Sequence, residues 1–286
     1  MDKKAKISNH KVQSSDPIGI FDSGIGGLTV TNAILQVLPK ESIVYFGDTA
    51  HLPYGEKSAA EIQSYSLKIC DVLLEQHCKV ILIACHSASS AAYETVKKHV
   101  GNAAEVINMI DPVIEHIRQE HASKKIGLIG TRQTVGSNVY QDKIKALTIP
   151  GSLHALATPL LAPIIESQFT EKEAIQAVIS DYLNHPTLAD IDALILGCTH
   201  YPLVKEQILK HYSSKSGASS SEISIIDSAE VVASYLKQWL NKNSLANKGK
   251  KAITRFYISS YTDSFVANTK TLFKEALELE NYPLWD

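Results

Sequence analysis

The chain has 286 residues, 44% of them apolar and 20% charged, with 28 basic against 30 acidic side chains and a formal net charge of -2. That is enough apolar material for a sizeable core without disulfide or metal staples, and a comfortable length for two domains. The balance holds no basic excess pointing to nucleic acid and no acidic tail, no apolar stretch approaches the roughly 20 residues that cross a bilayer, and the lysines near the N-terminus lack the apolar segment of a signal peptide.

In chain order, residues Met1–Ser15 are polar and aperiodic and read as a loose leader. A first apolar strand is expected at Ile18–Phe21, followed by a glycine-rich loop, Phe21 to Leu28 (FDSGIGGL). A dinucleotide fingerprint fails there, because Thr29 stands where the third glycine belongs and Asp22 would repel a phosphate. A turn that aims Asp22 and Ser23 into a cleft fits better, with a helix cap as the plain alternative for Asp22. The next strand is Ile43–Phe46. Pro53-Tyr54-Gly55 follows it, a turn whose N–H groups can hold a carboxylate and which by itself is also an ordinary turn. Ser58 and Glu61 form a capping box ahead of Ile62, Ile69, Val72 and Leu73. Further strands are expected at Val80–Ala84, Val106–Ile110, Lys125–Ile129, Leu153–Ala157, Ala193–Leu196, Ile223–Ile226 and Arg255–Ile258. Thr131 and Thr134 follow the third of these and either bind a small polar ligand or cap a helix. Thr170 and Glu173 repeat the capping device, and Pro202 sits where a first-turn proline is tolerated. Ser213–Ser221 reads as a flexible loop, and Asn241–Lys251 as a polar connection. The strands lack polar alternation, as in parallel sheets buried on both faces, and alternate with helices. The fold class expected is α/β, with right-handed crossovers and mostly parallel sheets.

The chain also resembles itself. Ile18-Gly19-Ile20-Phe21 is echoed by Ile126-Gly127-Leu128-Ile129, and Ile81–Ser87 (ILIACHS) by Leu194–His200 (LILGCTH). An offset of about 110 residues indicates a duplicated domain rather than a solenoid. The division expected is a first α/β domain of residues 16–102 plus 217–286 and a second of residues 103–216, facing each other across a cleft.

Of the four cysteines, Cys85 and Cys198 each end a buried strand just ahead of a helix, where open α/β sheets bind ligands and where a helix N-terminus favours thiolate. Cys70 and Cys78 read as structural, and none suggests a disulfide framework, so a reducing cytoplasm is the simplest setting. Two thiols on opposite walls of a cleft suit inversion of a stereocentre: one base removes a proton from one face and an acid returns one to the other. A redox dithiol would read C-x-x-C, and His86 and His200 beside the thiols complete no compact metal-ligand set. His200 stands close enough in sequence to assist Cys198.

These segments, with Pro163–Glu166 (PIIE), together resemble the glutamate racemases of the cofactor-independent aspartate/glutamate racemase family, over Pro17 to about Phe273. The resemblance implies two pseudo-twofold-related α/β domains with the active site between them. It implies that Cys85 acts on D-glutamate and Cys198 on L-glutamate, helped by Asp22, Glu166 and His200. It places Asp22-Ser23, Tyr54-Gly55, His86-Ser87 and Thr199-His200 against the substrate, with Thr131 and Thr134 near the α-carboxylate. It implies no pyridoxal phosphate or other cofactor and no metal, a cytoplasmic setting, D-glutamate for peptidoglycan synthesis, and homodimerisation, for which no interface is legible here.

Two departures stand out. The family usually has Asn-Thr after the first cysteine, where this chain has His86-Ser87; a protonated His86 would attract a carboxylate and repel the substrate ammonium. Thr158 precedes Pro159 where the family often has cysteine, a change of little expected consequence. The competing functions are a racemase of aspartate or another acidic amino acid, a hydrolase or isomerase using one thiol, and a non-catalytic binding protein for acidic amino acids.

Overall fold

The computed structural model describes residues 10–167, 172–215, 223–249, 252–273 and 277–285. The first half of the chain runs β1 (Ile18–Asp22), α1 (Gly26–Val37), β2 (Ile43–Gly47), α2 (Ala59–Glu75), β3 (Val80–Ile83), α3 (His86–Val100), β4 (Glu105–Asn108) and α4 (Ile110–Glu120). It continues through β5 (Lys125–Gly130), α5 (Arg132–Gly136), α6 (Val139–Ala146), β6 (Ser152–Ala157), α7 (Leu161–Glu166), α8 (Lys172–Leu183) and β7 (Ala193–Gly197). Last come α9 (Lys205–Lys215), β8 (Ser224–Ile226), α10 (Ser228–Lys242), β9 (Thr254–Ile258), α11 (Asp263–Phe273) and β10 (Leu279–Asn281).

Two sheets result, of six strands in the order β10-β9-β2-β1-β3-β4 and of four in the order β6-β5-β7-β8. Every described pairing is parallel. The order β2-β1-β3-β4 is reproduced by β6-β5-β7-β8, so the echo in the sequence is a repeated connectivity. Each strand sends alternate residues to opposite faces, and both faces are covered. Ile18 and Ile20 pack with Leu28, Ile34 and Leu236, while Phe21 packs on the other side with Ile69, Leu73 and Val96. In the second sheet, Leu194 and Leu196 meet Ile179 and Ile208, and Ile195 meets Ile117 and Ile144.

The nine expected strands are all present, with shifted ends. β4 stops at Asn108 because that side chain turns back: its Oδ1 accepts the N–H of Ile110 at 2.7 Å and of Asp111 at 2.8 Å, opening α4. The capping box on α2 is complete, Ser58 N–H donating to Glu61 Oε2 at 3.0 Å and Glu61 N–H to Ser58 Oγ at 3.3 Å. Thr170 lies outside the described residues, as do 216–221 of the expected loop, whose first residues 213–215 instead end α9. Among the described residues no helix is long and apolar enough to cross a membrane.

The expected divisions after residues 102 and 216 do not coincide with sheet membership. β4 pairs with β3 in the first sheet, and β8 pairs with β7 in the second. The repeat explains the shift, since each copy needs its fourth strand beside its third.

A buried ion pair closes the first lobe. Lys79 Nζ lies 2.6 Å from Glu41 Oε2, with both side chains almost wholly buried. Nζ also donates to the carbonyls of Ser14, at 2.6 Å, and Leu245, at 2.9 Å. Glu41 Oε1 accepts Asn247 N–H at 2.7 Å. The pair thereby ties the segment before β1 and the connection after α10 to the sheet. Lys79→Met would leave the Glu41 carboxylate buried without its cation. An equilibrium denaturation is expected to show a loss of about 3–5 kcal/mol.

Candidate active site

Both lobes present the carboxyl ends of their strands to a shared cleft, the place where open parallel sheets bind ligands. Asp22 ends β1, Cys85 follows β3, Thr131 follows β5 and Cys198 follows β7. The cleft is lined by Ser23, Pro53, Tyr54, Gly55, Glu56, Cys85, His86, Ser87, Thr131, Thr158, Pro159, Ala162, Pro163, Cys198, Thr199 and His200. The lobes meet closely. A Cβ on Gly26 would stand 2.2 Å from Thr199 Oγ1, and one on Gly55 would stand 2.8 Å from Thr131 Cβ, so only glycine allows either approach. Thr29 Oγ1 donates to the Thr199 carbonyl at 2.8 Å, Ser87 and Thr131 share a hydroxyl hydrogen bond of 2.9 Å, and Arg132 pairs with Glu56 at 2.9 Å. The cavity left is about 30 Å³, room for only a few waters.

The two thiols have unlike surroundings. Cys85 occupies the N-cap position of α3 and is buried. Burial, then the Asp22 carboxylate to which it is hydrogen-bonded, pushes its pKa well above the ordinary thiol value, against the pull of the Ala88 N–H. Asp22 is itself wholly buried, and its carboxylate accepts the Gly27 N–H of the first turn of α1 while it touches Cys85. Burial raises the Asp22 carboxyl, while His200 and the bond to Cys85 oppose the rise.

On the other wall, Cys198 Sγ lies 3.4 Å from His200 Nδ1, and His200 Nε2 lies 2.7 Å from Glu166 Oε1. Burial alone would lower the His200 pKa. The Cys198 sulfur and the Glu166 carboxylate outweigh it and hold the imidazole well above its usual value. The two ring nitrogens thus link the Cys198 sulfur, through Nδ1, to the Glu166 carboxylate, through Nε2. One wall thus carries a thiol beside a carboxylate and the other a thiol beside an imidazole.

His86, the first residue of α3, is 1% exposed and has no hydrogen-bond partner on either ring nitrogen among the described residues. Burial pushes its pKa down to about 3. The imidazolium envisaged from the sequence is therefore disfavoured, and His86 presents a neutral ring beside Tyr140, centroids 6.3 Å apart.

A family model described as Asp/Glu/Hydantoin racemase matches residues 18–236. The chain belongs to that family. It is similar to the glutamate racemase of Chlorobaculum parvum, at 40% identity over 85% of this chain and 86% of the relative. It is similar to that of Neisseria meningitidis serogroup A at 38% identity, over 85% of this chain and 87% of the relative. Among solved structures, glutamate racemase from Francisella tularensis in complex with D-glutamate matches with a TM-score of 0.84 and 32% identity, over 95% of this chain and 99% of the other. The protein is an amino-acid racemase, an isomerase.

Within this racemase the residues singled out from the sequence fall into two groups. Ser23, Tyr54, Gly55, Cys85, His86, Ser87, Thr131, Cys198, Thr199 and His200 line the cleft. Asp22, Glu166 and Thr134 stand one layer back, against Cys85, His200 and Thr131 respectively, the last with hydroxyls 3.0 Å apart. Two residues, Glu56 and Asp48, were not singled out, and Thr158 was noted only as a departure of little consequence. Thr158 lines the cleft and shares a 2.6 Å hydrogen bond with the Tyr201 hydroxyl. Glu56 crosses the cleft to Arg132. Asp48 accepts the Tyr54 hydroxyl at 2.6 Å. The Tyr54 signal was in view, as Asp48 lies in the same loop, but nothing local tells a buried aspartate from an exposed one. Cys70 and Cys78 lie away from the cleft, their pKa values raised by burial, as structural cysteines.

Proposed function

We propose that this racemase interconverts L- and D-glutamate by proton transfer between two cysteines, in the cytoplasm, supplying D-glutamate for peptidoglycan synthesis. The observation that carries the reading is the placement of Cys85 and Cys198 at equivalent strand ends of the repeated sheets, on one cleft. In the L-to-D direction the Cys198 sulfur, faced by the His200 imidazolium, takes the α-proton. The Cys85 thiol delivers its proton to the opposite face of the planar carbanion. The enzyme is left with the proton on Cys198 and the charge on Cys85, which is the state that runs the reverse reaction; proton exchange with solvent resets it. Asp22 orients the Cys85 S–H, and Glu166 holds the His200 ring. The hydroxyls of Ser23, Ser87, Thr131 and Thr199 and the backbone of Tyr54-Gly55 supply the polar groups for the carboxylates and the ammonium. The developing negative charge is stabilised by preorganised N–H and O–H donors in a site from which water is nearly excluded. The lobes part to admit substrate, because the closed cavity holds only a few waters.

Glutamate is favoured over aspartate by the relatives. Those bearing the glutamate name reach 40% identity over most of the chain, while an aspartate racemase structure from Picrophilus torridus matches at 18% identity and a TM-score of 0.56, which shows the shared fold alone. Loss of optical activity from L-glutamate and from L-aspartate, followed in parallel without added cofactor, tests this. A kcat/KM ratio of about 100 in favour of glutamate is expected, the scale on which a pocket discriminates one methylene. An equal or greater rate with aspartate would assign the enzyme to that substrate.

A further inference from the structure

The matched family span ends at residue 236, yet a stretch beyond it reaches the cleft's lip. β10 extends the first sheet by pairing with β9, and the chain then continues to Trp285, whose Nε1–H donates to Asp48 Oδ1 at 2.8 Å. Asp48 is wholly buried. Its carboxylate also accepts the Ser259 hydroxyl at 2.8 Å, His51 Nδ1 at 3.0 Å and the Tyr54 hydroxyl at 2.6 Å. The indole further stands edge-on to His51, with centroids 4.4 Å apart, and to Tyr65 at 5.3 Å. Loop 48–57, pinned in this way, is one of the segments that reach the second lobe: Gly55 abuts Thr131, and Glu56 pairs with Arg132.

We propose that Trp285 is a positioning residue, which acts through Asp48 to hold Tyr54 and Gly55 against the second lobe and so sets the affinity of the closed cleft for its amino acid. Hydrogen bonds to a carboxylate are among the stronger ones, and four that converge on one buried group fix a loop better than turn chemistry alone. Trp285 touches no reacting atom, so its effect falls on binding and closure rather than on the proton transfer.

The substrate named in the test rests on the glutamate reading. Trp285→Phe keeps an aromatic ring and removes the N–H. KM for both glutamate enantiomers is expected to rise about tenfold, the scale of one hydrogen bond to a charged acceptor, with kcat within about twofold. Amide hydrogen exchange over residues 48–57 is expected to quicken while residues 80–100 stay unchanged. A merely structural tryptophan would lower thermal stability and leave KM where it was. Unchanged KM in the variant of an active wild type would overturn the proposal. A wild type that does not turn over glutamate would overturn the glutamate reading instead. Exchange over 48–57 then decides the clamp, faster supporting it and unchanged refuting it. If the variant does not fold, Trp285 becomes the sole tryptophan of a Trp239→Phe chain, since the protein has two. A change in its emission on adding D-glutamate supports the clamp, and a constant spectrum overturns it.

Discussion

Cys85→Ala is expected to lose racemisation in both directions, with kcat/KM for either glutamate enantiomer falling by at least about 10³-fold, since an obligatory acid–base group is worth 10²–10⁴. The two directions must fall together. L- and D-glutamate have equal free energies, so the ratio of their kcat/KM values stays at one in any variant. The alanine removes the only thiol on its wall. Asp22, behind it, is aimed at the sulfur and at the Gly27 N–H rather than at the cavity it does not line. Cys198, His200 and Glu166 are untouched, so the variant is expected to keep binding L-glutamate within about tenfold of the wild-type affinity. Calorimetric titration alongside the polarimetric assay separates the two effects. Wild-type turnover in Cys85→Ala would remove the two-thiol mechanism.

His200→Asn is the second large effect. Burial alone would lower the pKa of the wild-type ring, but the Cys198 sulfur and the Glu166 carboxylate push it well above its ordinary 6.5. A raised pKa means that the imidazolium's contribution is fully present below the ordinary value and is lost as pH rises through the raised one. The same sign holds for the stability that the His200–Glu166 pair contributes and for the attraction the ring exerts on charge at Cys198. The pH profile of kcat/KM is therefore expected to fall on its alkaline side as His200 deprotonates. The asparagine variant is expected to lose about 10²-fold at neutral pH and to lack that descent. Glutamate activity undiminished across the pH range would show that the ring only packs.

Much of this architecture was legible because its strands are covered on both faces. Runs such as Ile18–Phe21 and Ala193–Leu196 carry no alternation to confuse them with half-exposed strands, and the repeat set Cys85 and Cys198 at matching places. β10 was not legible: three residues at an exposed sheet edge, two of them polar, offer no apolar pattern. The partition of the chain between sheets was misplaced at both ends, because strand pairing, not composition, decides where a fourth strand goes. Asp22 read as either a cap or a site residue, and its carboxylate accepts the Gly27 N–H in the first turn of α1 and lies against Cys85. Glu166 came only from the family resemblance, since its bond to His200 spans 34 positions. Trp285 and Asp48 lie 237 positions apart, and no local pattern announces their contact. The neutrality of His86 follows from burial between the lobes, which its neighbours in sequence do not encode.

Deuterium incorporation at Cα tests the central claim most directly. Wild-type enzyme is incubated in heavy water with L-glutamate, and separately with D-glutamate, and over the first few per cent of conversion the two enantiomers are separated by chiral chromatography and the deuterium at Cα of each is measured by mass spectrometry. Transfer between two separate thiols predicts that the newly formed enantiomer carries deuterium while the unreacted one keeps its proton, whichever is supplied. Product that retains the original proton, or deuterium accumulating in the unreacted enantiomer as fast as in the product, would contradict it and place both transfers on a single base.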